Sequence, residues 1–134
     1  MKFEWKPEYS VNIEKLDGQH KDFIIIMNKL YDSISGKKEG AILQDIFAEL
    51  VAYAKFHFQT EETYFDEFGY PGTLEHKKAH LEFFEKVAAL KEKSADHEIE
   101  ISFELIDFLE DWLLNHLADV DQKYSSFLNE KGLV

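Results

Sequence analysis

Apolar residues recur every three to four positions through four long stretches of the chain, with short polar breaks between them. In the first, about residues 18–35, His20, Phe23, Ile24, Met27, Leu30, Tyr31 and Ile34 fall on one side, the spacing of an amphipathic α-helix. Asp17 reads as its N-cap and Gly36 as its stop. A polar link, Lys37-Lys38-Glu39-Gly40, precedes a second helix over about 41–68. Its stripe is Leu43, Ile46, Phe47, Leu50, Ala54, His57, Glu61, Phe65 and Phe68. Gly69-Tyr70-Pro71-Gly72 has the composition of a turn, with Thr73 placed to cap the next helix.

The third helix, about 74–93, turns His76, His80, Phe83, Phe84, Val87 and Leu90 to one side. After the break at Ser94-Ala95-Asp96-His97, a fourth runs from about 98 to 130. It carries Ile101, Leu105, Leu109, Trp112, Leu113, His116, Leu117, Val120, Tyr124 and Phe127 inward, and Gly132 lies beyond its end. Residues 1–16 show no sustained period and read as an extended N-terminal arm. The expectation is an all-α protein with one domain over 1–134, the arm leading into an up-down-up-down four-helix bundle over 17–131.

Composition narrows the function classes. A chain of 134 residues is long enough for a core without staples. The absence of cysteine removes disulfides, thiolate zinc sites, iron–sulfur clusters and cysteine nucleophiles. A formal charge of −12, with no basic cluster longer than the pairs Lys37-Lys38 and Lys77-Lys78, argues against nucleic acid and anionic membranes as partners. No apolar run is longer than Phe23–Met27, far short of the roughly 20 residues that span a bilayer. The first residues do not read as a secretory signal, so a cytoplasmic location is expected.

Chemistry enters with the histidines. A lone histidine on an apolar face is usually a core residue satisfied by one hydrogen bond. Here five of six lie on the inner stripes, joined by Glu61 and Asp121. Burying seven such groups without partners is expensive, and one cation cluster would satisfy them all. His57 and Glu61, like His76 and His80, are four apart and stack on one helix face. His116 and Asp121 are five apart, about 140° around an α-helix, and would straddle a centre. In an up-down-up-down bundle all seven groups fall towards the same end.

Seven nitrogen and oxygen donors exceed a structural zinc site, and five imidazoles do not suit magnesium or calcium. A dinuclear site with bridging carboxylates suits iron, and manganese less well. The ligand set is poor in negative charge, since two carboxylates cancel only half the charge of two ferrous ions. That favours reversible oxygen binding over O–O cleavage.

At Asp17-Gly18-Gln19-His20, His57-Phe58-Gln59-Thr60-Glu61-Glu62, His76-Lys77-Lys78-Ala79-His80 and Trp112-Leu113-Leu114-Asn115-His116 with Asp121, the chain resembles the hemerythrin family, specifically its bacterial single-domain members. The resemblance implies two non-haem iron ions with a bridging oxo or hydroxo group and O2 as ligand. His76, His80 and His116 would hold one iron, His20 and His57 the other, with Glu61 and Asp121 bridging. The two-histidine iron would keep an open position for dioxygen. Leu113, and secondarily Leu117, would line the O2 pocket, as the residue corresponding to Leu113 does in family members. His97 matches no family ligand and reads as solvated, and Glu62 reads as a surface charge. The function expected is reversible O2 carriage or storage, without enzymatic activity. The rivals are oxygen or redox sensing through a partner protein, a di-iron enzyme handling peroxide or nitric oxide, and a zinc-stapled bundle.

Overall fold

A computed structural model of the chain describes residues 3–36 and 42–134. The polar link expected at 37–40 lies outside the described residues. Helices α1 (Glu14–Ile34), α2 (Leu43–Phe68), α3 (Thr73–Lys93) and α4 (Glu98–Trp112) succeed one another along the chain. The last continues through a π-helical segment, Leu113–Val120, into α5 (Gln122–Glu130). Each of α1 to α4 packs against its neighbours in a closed ring, α1 meeting both α2 and α4. Among the described residues there is no strand. This is the four-helix bundle that the periodicity implies.

The helix ends differ from expectation in two places. The first helix begins at Glu14, so the arm ends at Ile13 rather than at residue 16. Asp17 is not its N-cap: the carboxylate accepts from Ser10 Oγ at 2.5 Å and from the Val11 N–H at 2.8 Å. Its hydrogen-bonding capacity folds the arm back onto the helix, and the residue still favours the first turn through the helix dipole. At α3, Gly72 is the N-cap and Thr73 the first helical residue, with Thr73 Oγ1 donating to Tyr70 O at 2.5 Å. The stop after α2 is as expected. Gly69 sits at φ 69°, and its N–H and that of Tyr70 both return to Phe65 O, a left-handed closure that glycine adopts without strain.

The arm is stitched down rather than free. Asn28 pairs reciprocally with the Phe3 backbone at 2.8 and 2.9 Å. Ser125 and Asn129 donate to Val11 O and Asn12 O, and Val11 and Ile13 are fully buried. A short 3-10 turn, Pro7–Tyr9, packs on the π-helical segment.

That segment alters the fourth helix more than any other feature. A π-helix closes its hydrogen bonds over five residues and so holds one residue more per turn than the α ladder requires. The inward phase beyond it advances by one. Val120 and Phe127 are half-buried, whereas Asp121, Tyr124 and Leu128 are buried at 1%, 0% and 0% exposure.

Two apolar clusters result among the described residues. The large one fills the bundle and includes Phe23, Phe47, Phe58, Phe83, Leu105, Leu113 and Leu117. A small one, Val11, Ile13, Leu16, Phe65, Tyr124 and Leu128, closes the end beneath the arm. His20, His57, Glu61, His76, His80, His116 and Asp121 form a buried polar layer on α1, α2, α3 and the fourth helix.

Candidate metal centre

Each helix brings its donors to this layer by its own periodicity. His57 and Glu61 occupy successive turns of α2, and His76 and His80 successive turns of α3. His116 and Asp121 are brought into register by the π ladder, where the Asp121 N–H donates to His116 O at 2.8 Å. The 140° separation expected of an α-helix is therefore closed to about one turn, and His116 Nε2 lies 3.0 Å from Asp121 Oδ1. The pair still serves two sides. His76, His80 and His116 form one donor group, and His20, His57, Glu61 and Asp121 the other, the donor atoms of each within 4.8 Å of one another.

The two carboxylates span these groups atom by atom. Glu61 Oε1 faces His76 and His80 Nε2 at 3.6 and 3.1 Å, while Oε2 faces His20 and His57 Nε2 at 3.8 and 3.5 Å. Asp121 Oδ1 lies 2.9 and 3.0 Å from His76 and His116 Nε2, and Oδ2 lies 3.2 Å from His20 Nε2. His20 and His57 meet Nε2 to Nε2 at 3.1 Å. Glu61 Oε1, Asp121 Oδ1 and the Nε2 atoms of His76, His80 and His116 are buried without any hydrogen-bond partner. So many converging orphans would be a heavy penalty in a purely structural core. A pair of cations between the groups satisfies them, so the donor set fits a dinuclear metal centre.

Electrostatics matches. Burial pulls His20 and His76 down, but Asp121 and Glu61 outweigh it and raise both to about 9. Burial dominates at His57, with a contribution from His20, and lowers it to about 4. Burial also opposes ionisation of Glu61 and Asp121, yet the surrounding histidines hold both carboxyls below their ordinary range. The carboxylates are thus ionised as metal ligands must be, and a metal would displace protons from His20 and His76.

Further residues complete the site, and sequence reasoning assigns them other roles or none. Glu62, read as a surface charge, places Oε2 2.7 Å from His80 Nδ1 and is only 30% exposed. Gln19 Oε1 lies 2.6 Å from His57 Nδ1. Tyr124, read as a core aromatic, donates its hydroxyl to Glu61 Oε2 at 2.6 Å. Burial and the Glu61 and Asp121 charges raise the Tyr124 phenol well above its ordinary value, so it remains a donor. Phe58 stacks on His80 at 3.8 Å, and Trp112 on His116 at 3.9 Å. Leu113 and Leu117, three positions before and one after His116 in the chain, are 2% and 1% exposed. His97, as expected, is exposed, with Glu100 as its nearest ion partner at 3.7 Å.

The hemerythrin HHE cation binding domain matches residues 11–128. The bacteriohemerythrin of Clostridium acetobutylicum is 34% identical over 127 residues, covering 91% of this chain and 98% of that protein. That of Methylococcus capsulatus is 32% identical, covering 91% of this chain and 92% of that one. A crystal structure of a hemerythrin with a leucine-to-tyrosine substitution superposes with a TM-score of 0.77 at 27% identity, over 92% of this chain and 95% of that one. No helix among the described residues is long and apolar enough to cross a membrane.

Proposed function

This chain belongs to the hemerythrin family, and on that premise we propose that it binds dioxygen reversibly at a centre of two non-haem iron ions, as a carrier or store rather than an enzyme. The observation that carries the reading is the division of labour within Glu61 and Asp121. Each carboxylate turns one oxygen to the His76/His80/His116 side and the other to the His20/His57 side. That arrangement supports a site for two metals.

His76, His80 and His116 hold the first iron, and His20 and His57 the second. The second side has one histidine fewer, so a metal there would keep a coordination position for a diatomic ligand. Two ferrous ions held there would supply the electrons that a reversible dioxygen complex needs. The chain provides the surroundings that keep this reversible. Leu113 and Leu117, both buried in the large apolar cluster, keep water away from the centre. Tyr124 holds Glu61 in place with a hydroxyl whose proton is hard to remove. Five imidazoles and only two carboxylates keep the ligand set low in negative charge, which disfavours highly oxidised iron.

An anaerobic optical titration of iron-loaded protein with dioxygen, followed by evacuation, tests this. Colour that develops and then disappears supports a carrier. Turnover in the presence of reductant and peroxide, without a reversible complex, would overturn the reading in favour of an enzyme.

A further inference from the structure

The two halves of the centre differ in more than their number of histidines, because different groups stand behind the rings. As a carboxylate, Glu62 has no hydrogen to give, so its contact with His80 requires Nδ1 to be the donor. On the other half, Gln19 is oriented by a directional chain. Its Nε2 donates to Thr60 Oγ1 at 3.3 Å, and the Thr60 hydroxyl donates to Phe56 O at 2.8 Å. That leaves Gln19 Oε1 as the acceptor for His57 Nδ1–H. Both rings are thereby held in the tautomer that turns a bare Nε2 lone pair inward, the form a metal requires. Flat neighbours restrain the ring planes as well. Phe58 stacks on His80 with a 4° tilt, and Tyr53 on His57 with a 17° tilt.

The partners differ in charge. A carboxylate draws the Nδ1 proton away and makes the imidazole a stronger electron donor, while an amide oxygen does so weakly. We propose that Glu62 and Gln19 are positioning residues that make the two metal sites chemically unequal. Carboxylate-backed His80 makes the three-histidine metal more tightly held and more readily oxidised. Amide-backed His57 leaves the two-histidine metal, where the ligand enters, less electron-rich. Glu62 also lines a surface groove between α2 and α3 with Lys55 and Asp66, whereas Gln19 is buried at 6% exposure. The charged partner is thus the one in touch with solvent.

This inference rests on the dinuclear reading of the site, and one set of measurements separates the two. Ferrous ion is titrated anaerobically into the chain against a competing chelator, and the midpoint potential of the loaded centre is tracked spectroelectrochemically. Uptake of two ions by the unaltered chain is the test of the dinuclear reading itself. Glu62→Gln keeps an acceptor oxygen and removes the charge, so it should retain both ions and shift the potential upwards. Glu62→Ala should weaken one of the two ions by about 10–100-fold and leave the other. Gln19→Glu should shift the potential downwards, the opposite sign. Glu67→Gln, an equal charge change at an exposed position of the same helix, is the control. If the unaltered chain binds two ions but Glu62→Gln moves the potential no further than Glu67→Gln, the proposal fails. Equal affinities for both ions in Glu62→Ala and the unaltered chain would also overturn it.

Discussion

The Asp121 backbone N–H donates to the His116 carbonyl across five residues at 2.8 Å, and their side chains meet at 3.0 Å. In an α-helix these two side chains would point about 140° apart. The extra residue in the ladder is therefore what lets one helix give a histidine to one donor group and a carboxylate to both. Insertions of this type are uncommon and recur at functional sites.

The π register has a direct consequence for position 120. A straight α-helix would accept a carboxylate four residues after His116, at Val120, whereas the observed ladder turns Val120 partly outward. Exchanging the two residues, Val120→Asp with Asp121→Val, should abolish binding of two irons while helix content by circular dichroism is retained. Full iron loading of the exchanged variant would mean that the segment is α-helical in solution.

His20 and His97 should behave oppositely. His20 is fully buried with Nε2 3.1 Å from His57 Nε2, and His97 is exposed. His20→Ala should lower iron content below two per chain and eliminate the stable dioxygen complex, with the bundle persisting on its large apolar cluster. His97→Ala should change neither quantity. Metal analysis and the optical titration decide, and iron loss from His97→Ala alone would overturn the assignment.

Leu113 and Leu105 are both buried, at 2% and 0% exposure, but Leu113 stands three positions before His116 and Leu105 eleven. An asparagine at either position buries an amide without assured partners, at about 1–3 kcal/mol. Leu113→Asn should in addition speed autoxidation several-fold relative to Leu105→Asn. Rates are to be compared on folded, fully iron-loaded protein. Equal rates would assign Leu113 to packing alone.

Chelation should lower the melting temperature, because the inward donors then rely only on one another. In that metal-free chain His20 and His76 titrate near 9, against about 6.5 when unfolded. A raised folded value contributes stability that is complete below about 6.5 and is lost as the pH rises towards 9. His57, lowered to about 4, acts only on the acid side, where its contribution is lost as the pH falls from about 6.5. Chelated protein should therefore lose several further degrees between pH 7 and 9, while iron-loaded protein changes little. Scanning calorimetry at the two pH values measures the difference, and a flat profile after chelation would contradict the electrostatic account.

Much of this protein is legible from local spacing, because a helix face repeats every 3.6 residues and four such faces must bury one another. That rule places His20, His57, Glu61, His76, His80 and His116 inside without knowledge of any contact. Asp121 is read as inward with them, a carboxylate joining the histidines, and again in the motif resemblance. The half-burial of Val120 and Phe127, both read as inward, is what the π ladder changes. A π insertion leaves no residue signature of its own, and it is stabilised by what packs around it, including the Pro7–Tyr9 turn of the arm. The same holds for Asp17, whose partners Ser10 and Val11 come from the arm, and for Glu62, Gln19 and Tyr124. Glu62 meets a ring from the next helix, 18 positions away, and Tyr124 a carboxylate 63 positions away. Periodicity along one helix decides which face is buried, but only the packing of helices against each other decides which hydrogen bond a half-buried polar group makes.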